Sequence, residues 1–300
     1  MSDLDVVVVG SINHDLTLVT DRHPRPGETV LGSEQYSGPG GKGANQAVAA
    51  ARLDSRVAMI GRVGDDDPGR ALVEVLDAER IDVSGVIRDA AAGTGLAVIT
   101  VDPDGENSIV VIPGANRLVN PEQIRSYAGK VGSARVVLAQ LEIPVESVTE
   151  TASITAGIFL LNPAPARSLP DDLLATVDVL IPNRSELAGL AGGDEPTSRN
   201  EAIEMARSLR GPRAVVVTLG GEGALVVGGD VAAHIPAPEV EVVDTTGAGD
   251  AFCGALAHAL ARGIPLDEAA RWGVTAGAIA TTRRGAQTAL PTLSELRKLL

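Results

Sequence analysis

Cysteine and aromatic residues are scarce in this sequence. Cys253 is the single cysteine among 300 residues, and phenylalanine, tyrosine and tryptophan together make up 2%. One cysteine excludes an intrachain disulfide bond and a metal site built from several thiolates, and it is typical of a reducing compartment. With so few aromatic rings, the core must be packed with alanine, valine, leucine and isoleucine.

Basic clusters and long apolar runs are also lacking. The formal net charge is −14 without a lysine and arginine cluster, which argues against a nucleic-acid partner. No run of about 20 apolar residues is available to span a bilayer, so no membrane partner is expected. The opening residues, MSDLDVVVVG, lack the basic segment of a secretory signal. The sequence therefore predicts a cytoplasmic protein, in which any anionic ligand needs strong local donors such as a helix N-terminus.

What the sequence does contain is a series of short apolar runs separated by helical stretches. Runs without polar alternation are typical of strands buried on both faces of a parallel sheet. They are Val6–Val9, Arg135–Glu142, Ile158–Asn162, Asp178–Asn183 and Ala214–Gly220. Asp67-Pro68 and Asn120-Pro121 predict helix starts between them, each with an N-cap followed by proline. The alternation predicts an α/β fold with a central, mostly parallel sheet flanked by helices.

Two pairs of segments break this alternation and predict antiparallel strands. Asp15–Asp21 pairs with Glu28–Gln35, and Thr94–Asp102 pairs with Asn107–Pro113 around the turn PDGE. We expect these strands to form a small β-sheet lid from residues 13–36 and 94–113. Residues 1–12, 37–93 and 114–300 would then form one large domain. The second, apolar face of the lid is expected to pair two copies of the chain.

The stretch VVDTTGAGDAF, from Val242 to Phe252, predicts an anion site at a helix start. Gly247 and Gly249 allow a tight turn whose N–H groups converge, and the helix N-terminus adds partial positive charge. The helices expected after this turn are Ala251–Arg262 and Leu266–Arg284, the second closed by Gly285. Asp250 has two interpretations: a helix N-cap, or a base that accepts the proton of a hydroxyl attacking a phosphoryl group.

A second glycine-rich stretch, SGPGGKGANQ, covers Ser37 to Gln46 and resembles a phosphate-binding P-loop. A P-loop requires Ser or Thr directly after its lysine to reach Mg²⁺, whereas Gly43 follows Lys42 here. These glycines must therefore serve a different close approach of the backbone.

Seven short strings, in this order, connect the sequence to a known family. They are GSINHD, GGKGANQ, NPAPA, PNRSE, TLGGEG, DTTGAGDAF and TRRGAQ, spread from Gly10 to Gln287. Together they resemble the ribokinase-like, or PfkB, family of carbohydrate kinases. The resemblance implies a central sheet flanked by helices and a small β-sheet lid that pairs subunits. It also implies phosphorylation of the 5-hydroxyl of D-ribose, with ATP as co-substrate.

The same resemblance implies roles for individual residues. Asp250 matches the catalytic base, and Gly247, Ala248 and Gly249 match the anion hole. The positions that match sugar-binding residues, besides Asp250, are Asn13, Asp15, Gly41, Lys42, Asn45 and Glu142. The glycine-rich stretch would then close on a sugar, while the phosphates bind at Gly247 to Asp250.

Nucleotide and metal positions are implied in the same way. Asn183, Thr218, Gly220, Gly223 and Gly249 match nucleotide-binding positions, and Glu186 matches a residue that holds Mg²⁺ through water. As local patterns, N-x-x-E also describes a helix start and GGEG a turn between strands. The positions that match a K⁺ site are Asp244, Thr246, Ala280, Arg283 and Gly285. Ala289 departs from the family, which can place a hydroxyl there, so activation by K⁺ is in question.

Other functions fit part of these observations. A kinase for another pentose or a nucleoside, such as deoxyribose or adenosine, would need nearly the same site. A non-catalytic sugar sensor of the same fold would be expected to lose Asp250 or its glycine turn, and both are present. A nicotinamide-dependent dehydrogenase needs a dinucleotide fingerprint after the first strand, and Gly10-Ser11-Ile12 lacks its second glycine.

Overall fold

Four buried valines form an interior strand of the larger of two sheets. In the computed structural model, which describes residues 4–103, 107–229 and 231–300, β1 is Val6–Val9 and none of its side chains is exposed. Val6 and Val8 pack into one apolar core, and Val7 and Val9 pack into another on the opposite face of the sheet. Since both faces are covered, the run carries no polar alternation.

The larger sheet has nine strands within the described part of the chain. After β1 these are β4 (Val57–Gly64), β5 (Asp82–Asp89), β8 (Val136–Ala139), β9 (Ile158–Leu161), β10 (Val179–Leu180), β11 (Ala214–Thr218), β12 (Ala224–Gly228) and β13 (Val231–Ile235). Their order across the sheet is β13-β12-β11-β10-β9-β8-β1-β4-β5. All neighbours are parallel except β11 with β12 and β12 with β13. The predicted mostly parallel sheet is confirmed.

Helices cover both faces of this sheet. They are α1 (Lys42–Arg52), α2 (Asp67–Ala78), α3 (Pro121–Ser126), α4 (Ala128–Ser133), α5 (Val145–Ile154), α6 (Asp171–Leu174), α7 (Arg184–Ala191), α8 (Arg199–Ser208), α9 (Ala248–Ala261), α10 (Leu266–Ala280) and α11 (Leu293–Leu296). Helices α1, α2, α9 and α10 pack on one face, and α3 to α6 pack on the other. No helix in the described ranges has the length and apolar character needed to cross a membrane.

Three predicted helix boundaries are wrong, and the first is the start of α9, which lies at Ala248 rather than Ala251. The N-cap of α2 is Asp66 rather than Asp67, because the Asp66 side chain accepts a hydrogen bond from the Gly69 N–H at 2.8 Å. Helix α10 ends at Ala280, four residues before the predicted Arg284. The carbonyl of Thr281, its C-cap, accepts hydrogen bonds from Val243 and Asp244, and the chain turns away there. The predicted cap of α3, Asn120 before Pro121, is confirmed.

The smaller sheet contains the four strands that break the α/β alternation. These are β2 (Asn13–Thr20), β3 (Gly32–Gly40), β6 (Gly95–Val101) and β7 (Asn107–Ile112), in the order β3-β2-β6-β7. Both predicted pairs are antiparallel as expected, and β2 joins them by pairing parallel with β6. Residues 104–106 of the predicted turn lie outside the described residues.

The predicted limits of the strand pair at the N-terminal side need correction. Strand β3 begins at Gly32 and continues to Gly40, whereas Glu28–Gln35 was expected. Residues 37–40, assigned above to the large domain, therefore belong to the small sheet. The stretch GSEQYSGPG has low strand propensity, but β3 lies at the sheet edge, where proline and glycine are tolerated. The division into a large domain and a lid remains a prediction.

Candidate active site

The carboxyl ends of three neighbouring parallel strands meet at one edge of the large sheet. Ser11 follows shortly after β1, Gln140 directly after β8 and Asn162 directly after β9. All three side chains are buried. Ligands of open α/β sheets bind at this edge, because the loops that leave the strands open a crevice there.

The glycine-rich stretch brings the start of α1 against the segment that follows β1. Gly41 has a φ of 87° and is the N-cap of α1. A Cβ atom on Gly41 would lie 2.7 Å from the amide nitrogen of Asn13, and one on Gly43 would lie 2.6 Å from that of Ser11. The glycines are thus required for close contact of two backbone segments, as predicted.

Glu142 joins these two segments. Its Oε2 accepts hydrogen bonds from the Ser11 hydroxyl at 2.5 Å and from the Lys42 N–H at 3.1 Å. A carboxylate at the first residue of a helix is stabilised by the unpaired N–H groups and by the helix dipole. Glu142 therefore holds the α1 N-terminus beside β1, in addition to its predicted contact with a sugar.

Asp250 is the third residue of α9, and the N-cap interpretation is wrong. The N-cap is Gly247, with a φ of 75° and no capping side chain. The carboxylate of Asp250 instead faces α1, where its Oδ2 accepts from Asn45 Nδ2 and its Oδ1 from Gln46 Nε2, both at 2.9 Å. Asp250 is 7% exposed. The two amide donors hold the carboxylate in one orientation.

The residues predicted to form an anion hole lie at the turn before α9. Gly247 packs against the Ala286 backbone, and a Cβ on Gly249 would meet no atom within 4 Å, so the space in front of Gly249 is open. The first N–H groups of a helix lack partners within it and can bind an anion. Ala248 differs from the expectation, because its N–H donates to the Thr245 carbonyl at 3.2 Å.

Two buried acceptors among the predicted sugar residues have no donor in the described chain. They are Oδ1 of Asp15 and Oδ1 of Asn45. Asn13 is also buried, and its Oδ1 accepts from Asn116 Nδ2 at 2.7 Å, which fixes the orientation of its amide. Buried polar atoms in native proteins are nearly always paired, so the unpaired oxygens indicate a ligand that brings hydroxyl or amine donors.

The predicted sugar residues interact through their charges. Burial and the carboxylates of Glu142 and Asp250 raise the pKa of Asp15 to about 7. Burial opposes the charge on Lys42, yet the carboxylates of Asp250, Glu142 and Glu186 outweigh it and raise the pKa of Lys42. The ammonium group thus lies within the electrostatic field of all three carboxylates.

The predicted nucleotide residues lie at the adjacent strand ends. Asn183 forms a parallel bridge with Thr218, and Gly220 and Gly223 have φ values of 59° and 95° in the turn between β11 and β12. A Cβ on Gly223 would lie 2.0 Å from the Ile235 carbonyl oxygen. The GGEG turn between strands is confirmed. Thr218, the last residue of β11, lies beside Asn183 through the parallel bridge.

Glu186 completes a capping box with Asn183 at the start of α7. The Asn183 side chain accepts from the Glu186 N–H at 2.7 Å, and Glu186 Oε2 accepts from the Asn183 N–H at 2.9 Å. Burial raises the pKa of Glu186, although the Asn183 N–H and Lys42 work against the shift. The predicted helix start is confirmed. Glu186 also interacts electrostatically with Asp250, so α7 faces the same site as α9.

Three of the predicted K⁺ residues are joined by the carboxylate of Asp244. Its Oδ1 accepts from the Thr246 N–H at 2.9 Å and its Oδ2 from the Gly285 N–H at 2.8 Å. Burial opposes ionisation, but these donors prevail and lower the pKa of Asp244. Gly285 has a φ of 88°, so it serves this loop rather than closing α10. The Arg283 side chain instead forms an ion pair with Glu295.

Sequence analysis missed the amides that surround Asp250. Gln46 Nε2 contacts Asp250 Oδ1, and Gln140 Nε2 donates to Gln46 Oε1 at 2.6 Å. Asn116, also missed, donates to Asn13. The available signal was a polar residue directly after a buried strand, as in AQLE and IFLLN, because such residues meet at the ligand edge of the sheet.

Comparison with known proteins agrees with this geometry. The model of the pfkB family carbohydrate kinases matches residues 3–293. A ribokinase of Staphylococcus aureus is 36% identical over 98% of this chain and 99% of its own, and a deoxyribokinase of Salmonella typhi is 36% identical over 99% of both. The structure of Arabidopsis thaliana ribokinase complexed with ribose and ATP superimposes with a TM-score of 0.91, at 32% identity, over 99% of this chain and 98% of that one.

Fold and site thus define a carbohydrate kinase. The chain belongs to the pfkB family of carbohydrate kinases.

Proposed function

We propose that this protein transfers the γ-phosphoryl group of ATP to the 5-hydroxyl of D-ribose. One observation carries the proposal: the Asp250 carboxylate is held by two amide donors at the start of α9, and two buried acceptors among the predicted sugar residues lack donors. A sugar supplies hydroxyl donors for such oxygens, and phosphoryl transfer needs both a base and an anion hole. The named ribokinases of similar sequence and structure support the choice of ribose and ATP.

In the proposed reaction, Asp250 accepts the proton of the 5-hydroxyl as its oxygen attacks the γ-phosphorus. The bond from phosphorus to the β,γ-bridging oxygen breaks, and ADP leaves. The N–H groups of Gly247 and Gly249 stabilise the charge on the transferred oxygens, while the Ala248 N–H is engaged by the Thr245 carbonyl. The buried position of Asp250 keeps water away from the base, which favours transfer to the sugar over ATP hydrolysis.

Sugar recognition is assigned to the residues at the root of the small sheet and the start of α1. Asp15 and Asn45 accept from sugar hydroxyls through their unpaired oxygens. The remaining members of the proposed sugar site are Asn13, Gly41, Lys42 and Glu142. Polar groups at fixed geometry reject analogues that leave them unpaired, so this cluster would set substrate choice.

ATP would bind at Asn183, Thr218, Gly220, Gly223 and Gly249, with Mg²⁺ held by Glu186 through water. The described residues contain no group of three acidic, histidine or cysteine side chains able to hold a metal. Mg²⁺ usually keeps several waters and binds substrate phosphates with one or two carboxylates, so a single Glu186 fits. When bound, the ion would neutralise charge on the phosphates.

The Asp244 loop would hold K⁺ as an activator. Asp244 supplies a carboxylate beside the anion hole, and backbone carbonyls of Thr246 before α9 and of Ala280, Arg283 and Gly285 at the end of α10 are the expected further donors. Ala289 is buried and supplies no side-chain oxygen, so activation should be weak. Turnover with and without K⁺ at constant ionic strength measures it.

A homodimer through the small sheet is also proposed. Four consecutive residues of its edge strand β7, Ile109 to Ile112, are 43–64% exposed. Exposed apolar edge strands are otherwise sites of aggregation, and a partner would cover them. Sedimentation of the wild type and of Val110→Asp tests this: a dimer that becomes a folded monomer supports the surface, and an unchanged assembly contradicts it. A cytoplasmic location and the lack of nucleic-acid and membrane partners stay predictions from the sequence.

The first experiment is coupled ADP release with ATP and Mg²⁺ over ribose, deoxyribose, fructose, adenosine and no sugar. Release that depends on ribose supports the proposal. Release that is absent or independent of sugar, in protein shown to be folded, contradicts it.

Deoxyribose is the second candidate because a deoxyribokinase is as similar in sequence as the Staphylococcus ribokinase. The ratio of kcat/KM for the two sugars decides between them. A ratio above about 10² in favour of ribose would show that the 2-hydroxyl is bound by a site built for it.

A further inference from the structure

Behind Asp250 lies a chain of buried amides that contacts neither proposed substrate position. It runs from the Ile181 carbonyl through Asn162 and Gln46 to Gln140. Asn162 Nδ2 donates to the Ile181 carbonyl at 2.9 Å, Gln46 Nε2 donates to Asn162 Oδ1 at 3.1 Å, and Gln140 Nε2 donates to Gln46 Oε1 at 2.6 Å. Gln46 and Gln140 have no exposed surface, and Asn162 is 9% exposed.

These contacts fix which way the Gln46 amide points. Its oxygen faces a donor from Gln140, and its nitrogen faces the acceptor of Asn162. With the oxygen and nitrogen exchanged, two acceptors would meet at Asn162, whose own amide is fixed by the Ile181 carbonyl, and two more would meet at Asp250. Gln140 does not decide the orientation by itself, because its Oε1 has no donor among the described residues. Unpaired buried polar groups are costly, so the surroundings impose one orientation. In that orientation the second proton of Gln46 Nε2 points at Asp250 Oδ1, 2.9 Å away.

Two glycines show how tightly this chain is packed. A Cβ on Gly10 would lie 2.0 Å from Gln140 Oε1 and 2.9 Å from Gly43 Cα, so Gly10 leaves room for the Gln140 amide. A Cβ on Gly254 of α9 would lie 2.7 Å from the Gln46 carbonyl oxygen. Gly254 thus allows α1 and α9 to approach closely enough for Gln46 to reach Asp250.

We infer that Gln46, held by Gln140 and Asn162, is a positioning residue that orients the Asp250 carboxylate and keeps it ready to accept a proton. Asn45 binds the other carboxylate oxygen but also offers an unpaired acceptor to the sugar. Gln46 has all its described polar contacts within the protein. Gln46 therefore serves the base alone, and its loss should change proton acceptance rather than sugar affinity. This inference rests on the proposed function.

Other charged groups also face Asp250 and enter any pH dependence. The ionisable groups that interact with it are Asp15 of β2, Lys42 of α1, Glu186 of α7 and Cys253 of its own helix. None of these is changed by substituting Gln46, so a shift in the pH profile of a Gln46 variant reports the lost donor.

The test compares Gln46→Leu and Gln46→Glu with Gln123→Leu. Gln123 is the matched control, because it is also buried and its amide donates to the Gly61 carbonyl at 2.8 Å, in a contact that does not include Asp250. We expect Gln46→Leu to lower kcat by roughly 10- to 100-fold, with KM for ribose changed less than about threefold. The acid limb of its pH profile should move up by roughly one unit, because a hydrogen bond to a carboxylate favours the charged form.

Gln46→Glu should shift the acid limb at least as far, because two neighbouring carboxylates share a proton. Gln123→Leu should lose stability and keep the wild-type pH profile. A Gln46→Leu enzyme with an unchanged profile, or with a change confined to KM, overturns the inference.

A second readout does not need turnover. Crystal structures of the wild type and Gln46→Leu should show the Asp250 carboxylate rotated from its position between Asn45 and Gln46. A carboxylate that stays in place overturns the inference. If the wild type phosphorylates no sugar, the proposed function fails, and these structures still decide whether Gln46 orients Asp250.

Discussion

The two sheets are built in different ways. In the large sheet, β1 and β8 have no exposed side chain, and cores on both faces cover them. In the small sheet, Ile109 to Ile112 are exposed, and no side chain of its four strands belongs to the buried clusters found in the described ranges. The large sheet is therefore stabilised by its own packing. The small sheet depends on its root at Asn13 to Asp15 and on whatever covers its outer strands.

Asp250, the proposed base, belongs to the well-packed region, because its helix α9 packs in the core on one face of the large sheet. Replacing Asp250 with Asn removes the proton acceptor, and kcat should fall by about 10² to 10⁴-fold. Affinity for ribose should remain close to that of the wild type, because the small-sheet root is unchanged. Steady-state ADP release together with calorimetric ribose binding measures both. Turnover near the wild-type rate would contradict the role of Asp250.

Shortening a buried side chain should lower stability strongly in the large sheet, whereas shortening an exposed one in the small sheet should hardly change it. Leu138→Ala in β8 removes a fully buried side chain and should lower the free energy of unfolding by about 2 to 5 kcal/mol. Val110→Ala in β7, where the side chain is 64% exposed, should change it by less than about 0.5 kcal/mol in the monomer. Urea unfolding of both variants makes the comparison, and equal losses would contradict it.

Acid should destabilise the protein through the packed helix α9. His258 is buried, and both ring nitrogens are engaged, by the Ser55 hydroxyl at 2.8 Å and Arg262 Nε at 3.1 Å. Burial and the neighbouring Arg262 lower the pKa of His258 to about 4, from 6.5. Between these pH values His258 binds a proton in the unfolded chain but not in the folded protein. Stability therefore falls as the pH drops from about 6.5 to 4.

At about 1.4 kcal/mol for each pKa unit, this contribution of His258 is about 3 kcal/mol. His258→Gln should be less stable than the wild type at pH 7 but lose less over the acid range. Unfolding free energies at several pH values test it. Parallel curves for the two proteins would count against this assignment.

At the root of the small sheet, stability depends on pH in the opposite direction. Because the pKa of Asp15 is raised to about 7 from 3.8, the folded protein keeps a proton that the unfolded chain has released. Stability of the sugar-free protein therefore decreases as the pH rises from about 4 to 7. Asp15→Asn should raise the free energy of unfolding at pH 8 by roughly 2 kcal/mol, a figure reduced for the partial exposure of Asp15. The same variant should bind ribose more weakly. Equal stability of the two proteins at pH 8 would refute this.

The predictable parts of the fold were those set by local sequence. The valine run of β1 and the Asn120-Pro121 cap were predicted correctly, because burial on both faces and a helix start leave a pattern within a few residues. Strand β3 was misplaced, because its glycines and Pro39 lack strand propensity. Gly40 is required there for another reason: a Cβ would lie 2.0 Å from the Asp15 carboxylate.

The sequence predicted which residues belong to the site better than it predicted the contacts between them. The motif residues around Asp250, Asn45 and Glu142 do lie together. Their roles in binding the substrate and in accepting its proton are proposals. Local reasoning also allowed Asp250 to be an N-cap, since a carboxylate before an apolar helix is usually one. The structure shows instead a carboxylate turned toward α1, and no local pattern could have indicated that direction.

What the sequence determined by itself was the α/β alternation, the glycine turns and the set of motif residues, because hydrophobic burial and backbone conformation are expressed over a few neighbouring positions. The tertiary structure alone decided that Asn45 and Gln46 hold Asp250, across separations of 205 and 204 residues. Those contacts depend on the distance between α1 and α9. That distance is set by how two whole helices pack, with Gly254 at their crossing.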